Sequence, residues 1–125
     1  MEISEFKSKK IWAVVGSIHN KEKFAYKIYK FLQEKGYIVY PVDPSGKSID
    51  GKKSYTSLLE LPEIPDAVDM VINPVKGVEY INQIKQLEIK YLWFQPGAES
   101  MELIERASSS GINVVYNKCV LVEFK

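Results

Sequence analysis

The sequence predicts an α/β fold, a single doubly wound sheet of about five mainly parallel strands with helices on both faces. Three observations predict it. Short, nearly all-apolar runs recur at Ile11 to Val15, Tyr37 to Val42, Val68 to Ile72, Tyr91 to Phe94 and Ile112 to Tyr116. Amphipathic stretches with helical spacing separate most of them. Glycine, proline, asparagine or aspartate punctuates the junctions. Strands that are apolar on both faces belong to parallel sheets covered on both sides. Right-handed crossovers then give a Rossmann-like sheet, with 3-2-1-4-5 as the expected strand order.

The first strand runs into Gly16-Ser17-Ile18-His19-Asn20, where Asn20 is the expected cap of a helix reaching about Lys35. Phe24, Ile28, Phe31 and Leu32 give that helix one apolar face, and Gly36 stops it in the left-handed conformation. The second strand contains Pro41, which cannot donate to the ladder and points to an edge or an irregular end. Asp43-Pro44 closes it. Ser45 to Lys53 is polar, holds Gly46 and Gly51, and reads as a loop. Ser57 to Leu61 has room for one or two helical turns before Pro62.

The third strand ends at Asn73-Pro74, and a helix from about Gly77 to Glu88 follows, with Val78, Ile81, Ile84 and Leu87 spaced three apart. Gln95-Pro96-Gly97 turns the chain after the fourth strand. Ser100 caps a helix to about Ser110, stopped by Gly111, with Met101, Ile104 and Ala107 inward. Asn117-Lys118-Cys119 and a short apolar tail follow the fifth strand. With no internal repeat, low-complexity tract or linker, residues 1–125 read as one domain.

A chain of 125 residues, 46% hydrophobic and 26% charged, is large enough for a proper core. Its net charge of +1 argues against a nucleic-acid binder. No apolar run approaches the ~20 residues that span a bilayer, so no membrane association is expected. The first ten residues lack the apolar core of a secretory signal. The one cysteine, Cys119, excludes an intramolecular disulfide and a multi-cysteine zinc site. A cytoplasmic protein is the expectation.

In open parallel sheets ligands bind beyond the carboxyl ends of the strands, where the winding reverses. Here that edge comprises Gly16 to Lys21, Asp43 to Lys47, Asn73 to Lys76, Phe94 to Gly97 and Asn117 to Cys119. A strand, a glycine elbow and a helix start leave unpaired backbone N–H groups and the positive end of a helix dipole, which favour a phosphate. Lys21 and Lys23, and Lys47, Lys52 and Lys53, follow strand ends, where they form either a solvated surface or the surroundings of a polyanionic ligand. No carboxylate pair and no Ser–His–Asp arrangement is visible, so a binding module without a catalytic residue or metal is expected. NAD is the competing ligand. Asp43 stands where an acid would bond a ribose hydroxyl, but the loop has one glycine where G-x-G-x-x-G has three.

Val14-Val15-Gly16-Ser17, Lys35-Gly36-Tyr37-Ile38-Val39-Tyr40-Pro41-Val42-Asp43-Pro44, Gly51-Lys52-Lys53-Ser54-Tyr55, Leu92-Trp93-Phe94-Gln95-Pro96-Gly97-Ala98-Glu99-Ser100 and Asn117-Lys118-Cys119 carry a family likeness. In these segments the chain resembles the small stand-alone CoA-binding proteins and the N-terminal domain of the succinyl-CoA synthetase alpha subunit. Coenzyme A, or an acyl-CoA, is the ligand this resemblance implies. Its diphosphate would lie against Gly16, Ser17, Ile18, His19, Asn20 and Lys21. Its adenosine would meet Val42, Asp43 and Pro44, with Lys47 near a phosphate, and Pro74, Phe94 and Gln95 would line the nucleotide or pantetheine path. The family commonly shows Gly-Ala-Ser in the elbow where this chain has Gly16-Ser17-Ile18-His19.

Two other readings stay open from the residues. One is an NAD- or redox-responsive module using Asp43 and Cys119. The other is a protein-interaction domain derived from an acyl-CoA enzyme. His19 is a cationic contact, a base or merely a solvated loop residue, and Cys119 is a reactive thiol or a packed one. Trp12 and Trp93 are expected in the core.

Overall fold

The computed structural model describes residues 3–125. Its core is a sheet of five strands, each parallel to its neighbours: β1 (Ile11–Gly16), β2 (Ile38–Val42), β3 (Ala67–Val71), β4 (Tyr91–Phe94) and β5 (Asn113–Val115). Three longer helices connect them, α2 (Phe24–Glu34), α3 (Pro74–Gln86) and α4 (Met101–Ser109), and a short 3-10 helix, Leu58–Glu60, precedes β3. Two short helices flank the set, α1 (Ile3–Lys7) and α5 (Val120–Glu123). The doubly wound, Rossmann-like α/β class expected from the sequence is the one observed.

Alternation along each strand divides the core in two. Ala13, Val15, Val68, Met70, Leu92 and Phe94 face α3 and α4. Trp12, Val14, Ala67, Trp93 and Val115 face the other way, toward α1, α2 and α5. Both tryptophans are fully buried, and Phe6 of α1 meets Trp93 edge-on at 5.5 Å between ring centroids. Both faces are covered, which is why the strands read as nearly all-apolar runs.

The strand order is 2-1-3-4-5, not 3-2-1-4-5. The difference has a physical reason that Pro41 already carried. An internal β2 would need a full ladder on both sides, whereas β2 holds a proline and an Ile38 that is 50% exposed. Ala67 to Met70 in β3 are all fully buried, as a central strand requires. On the outer side of β2, Tyr55 donates its amide to the Pro41 carbonyl at 3.1 Å and accepts from the Asp43 amide at 2.7 Å. The winding therefore reverses between β1 and β3, which puts the crevice beyond those two strand ends.

Several element boundaries also differ from expectation. Helix α2 starts at Phe24 rather than just after Asn20, because the Asn20 side chain accepts the Glu22 amide at 3.0 Å and its carbonyl accepts that of Lys23 at 3.0 Å. Phe24 is consequently exposed instead of inward. Helix α3 starts at Pro74, earlier than Gly77, since the Asn73 side chain accepts the Lys76 amide at 3.0 Å and Pro74 occupies the first turn. Met101, expected inward, is exposed at the start of α4, while the Ser100 cap forms as expected, accepting the Leu103 amide at 3.1 Å. Among the described residues no helix is long and apolar enough to cross a membrane.

Candidate functional site

Beyond the carboxyl ends of β1 and β3 lies a cleft of about 530 Å³. Its walls are the loop after β1 (Ser17, His19), the start of α2 (Lys23 to Ala25), the turn after β2 (Asp43 to Ser45) and the segment from Val71 into α3 (Asn73, Lys76). A smaller hollow of about 250 Å³ adjoins it across Val71, Ile72 and Asn73 and reaches Gln95, Pro96 and Gly97. The two share Val71, Ile72 and Asn73 as lining and lie over the ends of β1, β3 and β4.

Gly16 ends β1 opposite Val71 of β3. A Cβ at this position would stand 2.6 Å from the Val71 carbonyl oxygen and 3.0 Å from the Ala25 Cβ. The glycine is thus required by the close approach of β1, β3 and α2, and not by a left-handed backbone. This approach sets the start of α2 at the cleft. Lys23 caps α2 without any side-chain hydrogen bond, and the first turn holds no acidic residue. The first-turn amides of Phe24, Ala25 and Tyr26 have no intrahelical acceptor, so this end carries unpaired donors and a partial positive charge. The Lys23 and Lys76 side chains add two cations, against a single lining carboxylate, Asp43.

Asp43-Pro44-Ser45-Gly46 is a tight turn with aspartate first and proline second, the residues such a turn prefers. The Gly46 amide donates to the Asp43 carbonyl at 2.9 Å. The Asp43 carboxylate, 1% exposed, accepts four hydrogen bonds. Oδ2 receives the His19 amide at 2.9 Å and His19 Nδ1 at 2.6 Å. Oδ1 receives the Ser45 amide at 2.9 Å and Ser45 Oγ at 2.8 Å. Burial raises the carboxyl's pKa, and the donors of His19 and Ser45 outweigh it, holding Asp43 below the ordinary carboxylate range. With both oxygens occupied, this carboxylate is unsuited to catch a ribose hydroxyl.

Of the residues named from the sequence, Ser17, His19, Asp43 and Pro44 line the cleft, and Gln95 lines the adjoining hollow. Gly16 lies buried beneath the floor. Ile18, Val42 and Phe94 are fully buried with their side chains in the core, because strand alternation and the turn after Gly16 point them inward. Asn20 is spent on its own turn, and Lys21 pairs with Asp50 at 3.3 Å, away from the cleft. Lys47 and Pro74 stand outside the lining. Gln95 is nearly buried and doubly engaged: Oε1 accepts the Val120 amide at 2.9 Å, and Nε2 donates to Cys119 Sγ at 3.2 Å. Phe24 and Ala25 were missed because a helix start just after Asn20 places them past its first turn, and Val71 because it reads as part of the third strand; Lys23 was read only as one of a lysine cluster. Asn73-Pro74, a cap and first-turn pair, was the signal that brings Lys76 to the cleft.

The sequence profile of the CoA binding domain family matches residues 10–125. The chain belongs to that family. A solved structure of a hypothetical protein from Pyrococcus horikoshii superposes with a TM-score of 0.87 at 32% identity, covering 95% of this chain and 84% of the other. The uncharacterised protein YneT of Bacillus subtilis is 27% identical, over 97% of this chain and 90% of its own length. The alpha subunit of an ADP-forming acetate–CoA ligase II from Pyrococcus furiosus is 29% identical over 86% of this chain. The match spans only 26% of that subunit's length.

Proposed function

We propose that this chain binds coenzyme A or an acyl-CoA in the cleft between β1 and β3, as a binding module without a catalytic step of its own. The observation that carries the reading is the uncapped N-terminus of α2, facing a cleft with Lys23 and Lys76, in a member of the CoA binding domain family. Unpaired amides and two ammonium groups suit a diphosphate. In this reading the diphosphate lies against Ser17, His19 and the first turn of α2. The adenosine lies along Pro44 and the backbone of Val42 and Asp43, and the pantetheine arm runs over Ile72 toward Gln95 to Gly97. A cleft of about 530 Å³ falls within the range of cofactor sites. The saturated Asp43 carboxylate speaks for holding rather than chemistry, since a base with four donors has no free lone pair to offer a substrate.

The NAD- or redox-responsive alternative needs a free Asp43 and a Cys119 at the ligand. Neither suits the geometry, because Asp43 is fully bonded and Cys119 is held by Gln95 and does not line the cleft. Calorimetric titration with CoA, acetyl-CoA, NAD and FAD tests the proposal. Saturable binding of CoA or acetyl-CoA, tighter than NAD and FAD, is expected. No CoA binding at millimolar ligand with the fold intact would overturn it. Ser17→Asp, which sets a like charge against the phosphates, is expected to weaken CoA binding about tenfold or more.

A further inference from the structure

The environment of His19 goes beyond a generic anion site. The imidazole lines the cleft, its Nδ1 lies 2.6 Å from the buried Asp43 carboxylate, and its Nε2 has no partner among the described residues. Its backbone amide is tied to the same carboxylate, so ring and loop are fixed by one group.

A carboxylate accepts and does not donate, so its partner Nδ1 must carry the proton. In the neutral ring this leaves Nε2 as a bare lone pair. A lone pair facing a phosphate oxygen repels it, whereas a protonated ring presents an N–H and a positive charge. By fixing the tautomer, Asp43 allows His19 to contact an anion only in its protonated form. The other charged groups around the cleft are Lys23 at the start of α2 and Lys76 in the first turn of α3. From the loop after β1, Lys21 is turned to Asp50. As side-chain types, lysine and aspartate ordinarily change charge outside pH 5 to 8 and imidazole within it.

We propose that His19, positioned by Asp43, makes ligand binding in this cleft proton-linked, its Nε2 donating to the diphosphate so that affinity rises as pH falls from 8 to 5.5. The proposal rests on the CoA-binding reading above and adds to it a residue role and a regulation that follow from the Asp43–His19 pair. Asp43 acts as a positioning residue, and His19 is the contact.

Calorimetric titration with dephospho-CoA at pH 5.5, 6.5 and 8 tests it. This probe carries the diphosphate but lacks the phosphate monoester, whose own second ionisation near pH 6 would confuse the profile. The wild-type chain is expected to bind about tenfold more tightly at pH 5.5 than at pH 8, the size of one charge-assisted hydrogen bond. Titrations in buffers of different ionisation enthalpy are expected to show proton uptake on binding. His19→Gln is expected to bind with a flat profile. Asp43→Asn is expected to flatten it too, because an amide can donate to Nδ1 and leave Nε2–H as a donor in the neutral ring. A circular dichroism spectrum checks that this variant folds despite the lost acceptor for the His19 amide. Saturable binding with no pH dependence, or a pH dependence that survives in His19→Gln, would overturn the proton linkage and leave the CoA site standing. No binding of dephospho-CoA or CoA at any of these pH values would overturn both.

Discussion

Gly16 and the Val71 carbonyl are so close across the β1–β3 ladder that a single methyl carbon on the glycine would stand 2.6 Å from the oxygen. The contact is backbone against backbone, so neither partner can swing away. Gly16→Ala is therefore expected to push β1 from β3 at the floor of the cleft and to lower stability by about 1–3 kcal/mol, as overpacking does. Urea denaturation followed by far-UV circular dichroism measures it. An unchanged midpoint would show that the strands adjust without cost.

Asp69 lies in the middle of β3, between Val14 of β1 and Trp93 of β4, fully buried and with no partner for either carboxylate oxygen. Burial raises its pKa well above the ordinary carboxylate range, so the folded chain keeps it protonated. The unfolded chain releases that proton above about pH 4. Below that pH both states hold the proton and the full stability is present. As pH rises from there toward the folded pKa, stability falls, by up to ~1.4 kcal/mol per pH unit from this group. Asp69→Asn is expected to remove this slope, and Asp69→Val to raise stability at pH 7 by roughly 2 kcal/mol, by replacing an unsatisfied polar group with an apolar one. Stability measured between pH 4 and 8 decides the matter. Equal slopes in wild type and Asp69→Asn would contradict the prediction.

Gln95 fastens the end of the chain to the sheet, accepting the Val120 amide and donating to Cys119 Sγ. Gln95→Ala leaves the Val120 amide without its acceptor, at an expected cost of about 1–3 kcal/mol. The same change should speed the reaction of Cys119 with a thiol reagent, since α5 loses its tether. Cys119→Ser, which keeps an acceptor for Nε2, is expected to cost much less. Thermal denaturation and the rate of thiol labelling check both. A Gln95→Ala chain that labels no faster than wild type would show that α5 is held by packing alone.

The sheet, its parallel strands and the three longer helices were legible in the sequence because apolar runs, glycine stops and the Ser100 cap each report a local constraint. Strand order was less so, since it depends on which faces and edges are buried; Pro41 held that information alone. The start of α2 was misplaced because Asn20 can cap a helix or close its own turn, and only the fold decides between them. The short α1 and α5 carry too few residues for a periodic signal, yet Phe6 and Phe124 both pack around Trp12 and Trp93. In the site, the glycine elbow and the Asp43 turn were visible, whereas their connection was not. His19 and Asp43 lie 24 residues apart, and spacing alone does not reveal that one carboxylate holds both the amide and the ring. Asp69 was hidden inside an apolar run, where one polar residue leaves the strand pattern intact.

Titration of the isotopically labelled chain with CoA, followed through its backbone amide resonances, tests whether the cleft between β1 and β3 holds the ligand. Saturable shifts are expected, concentrated in Ser17 to Ala25, Asp43 to Lys47 and Ile72 to Lys76, with those of Phe24 and Ala25 moving as their free N–H groups meet the diphosphate. Amide spectra unchanged at millimolar CoA, or shifts confined to the opposite edge around Pro65, Lys90 and Tyr91, would contradict it.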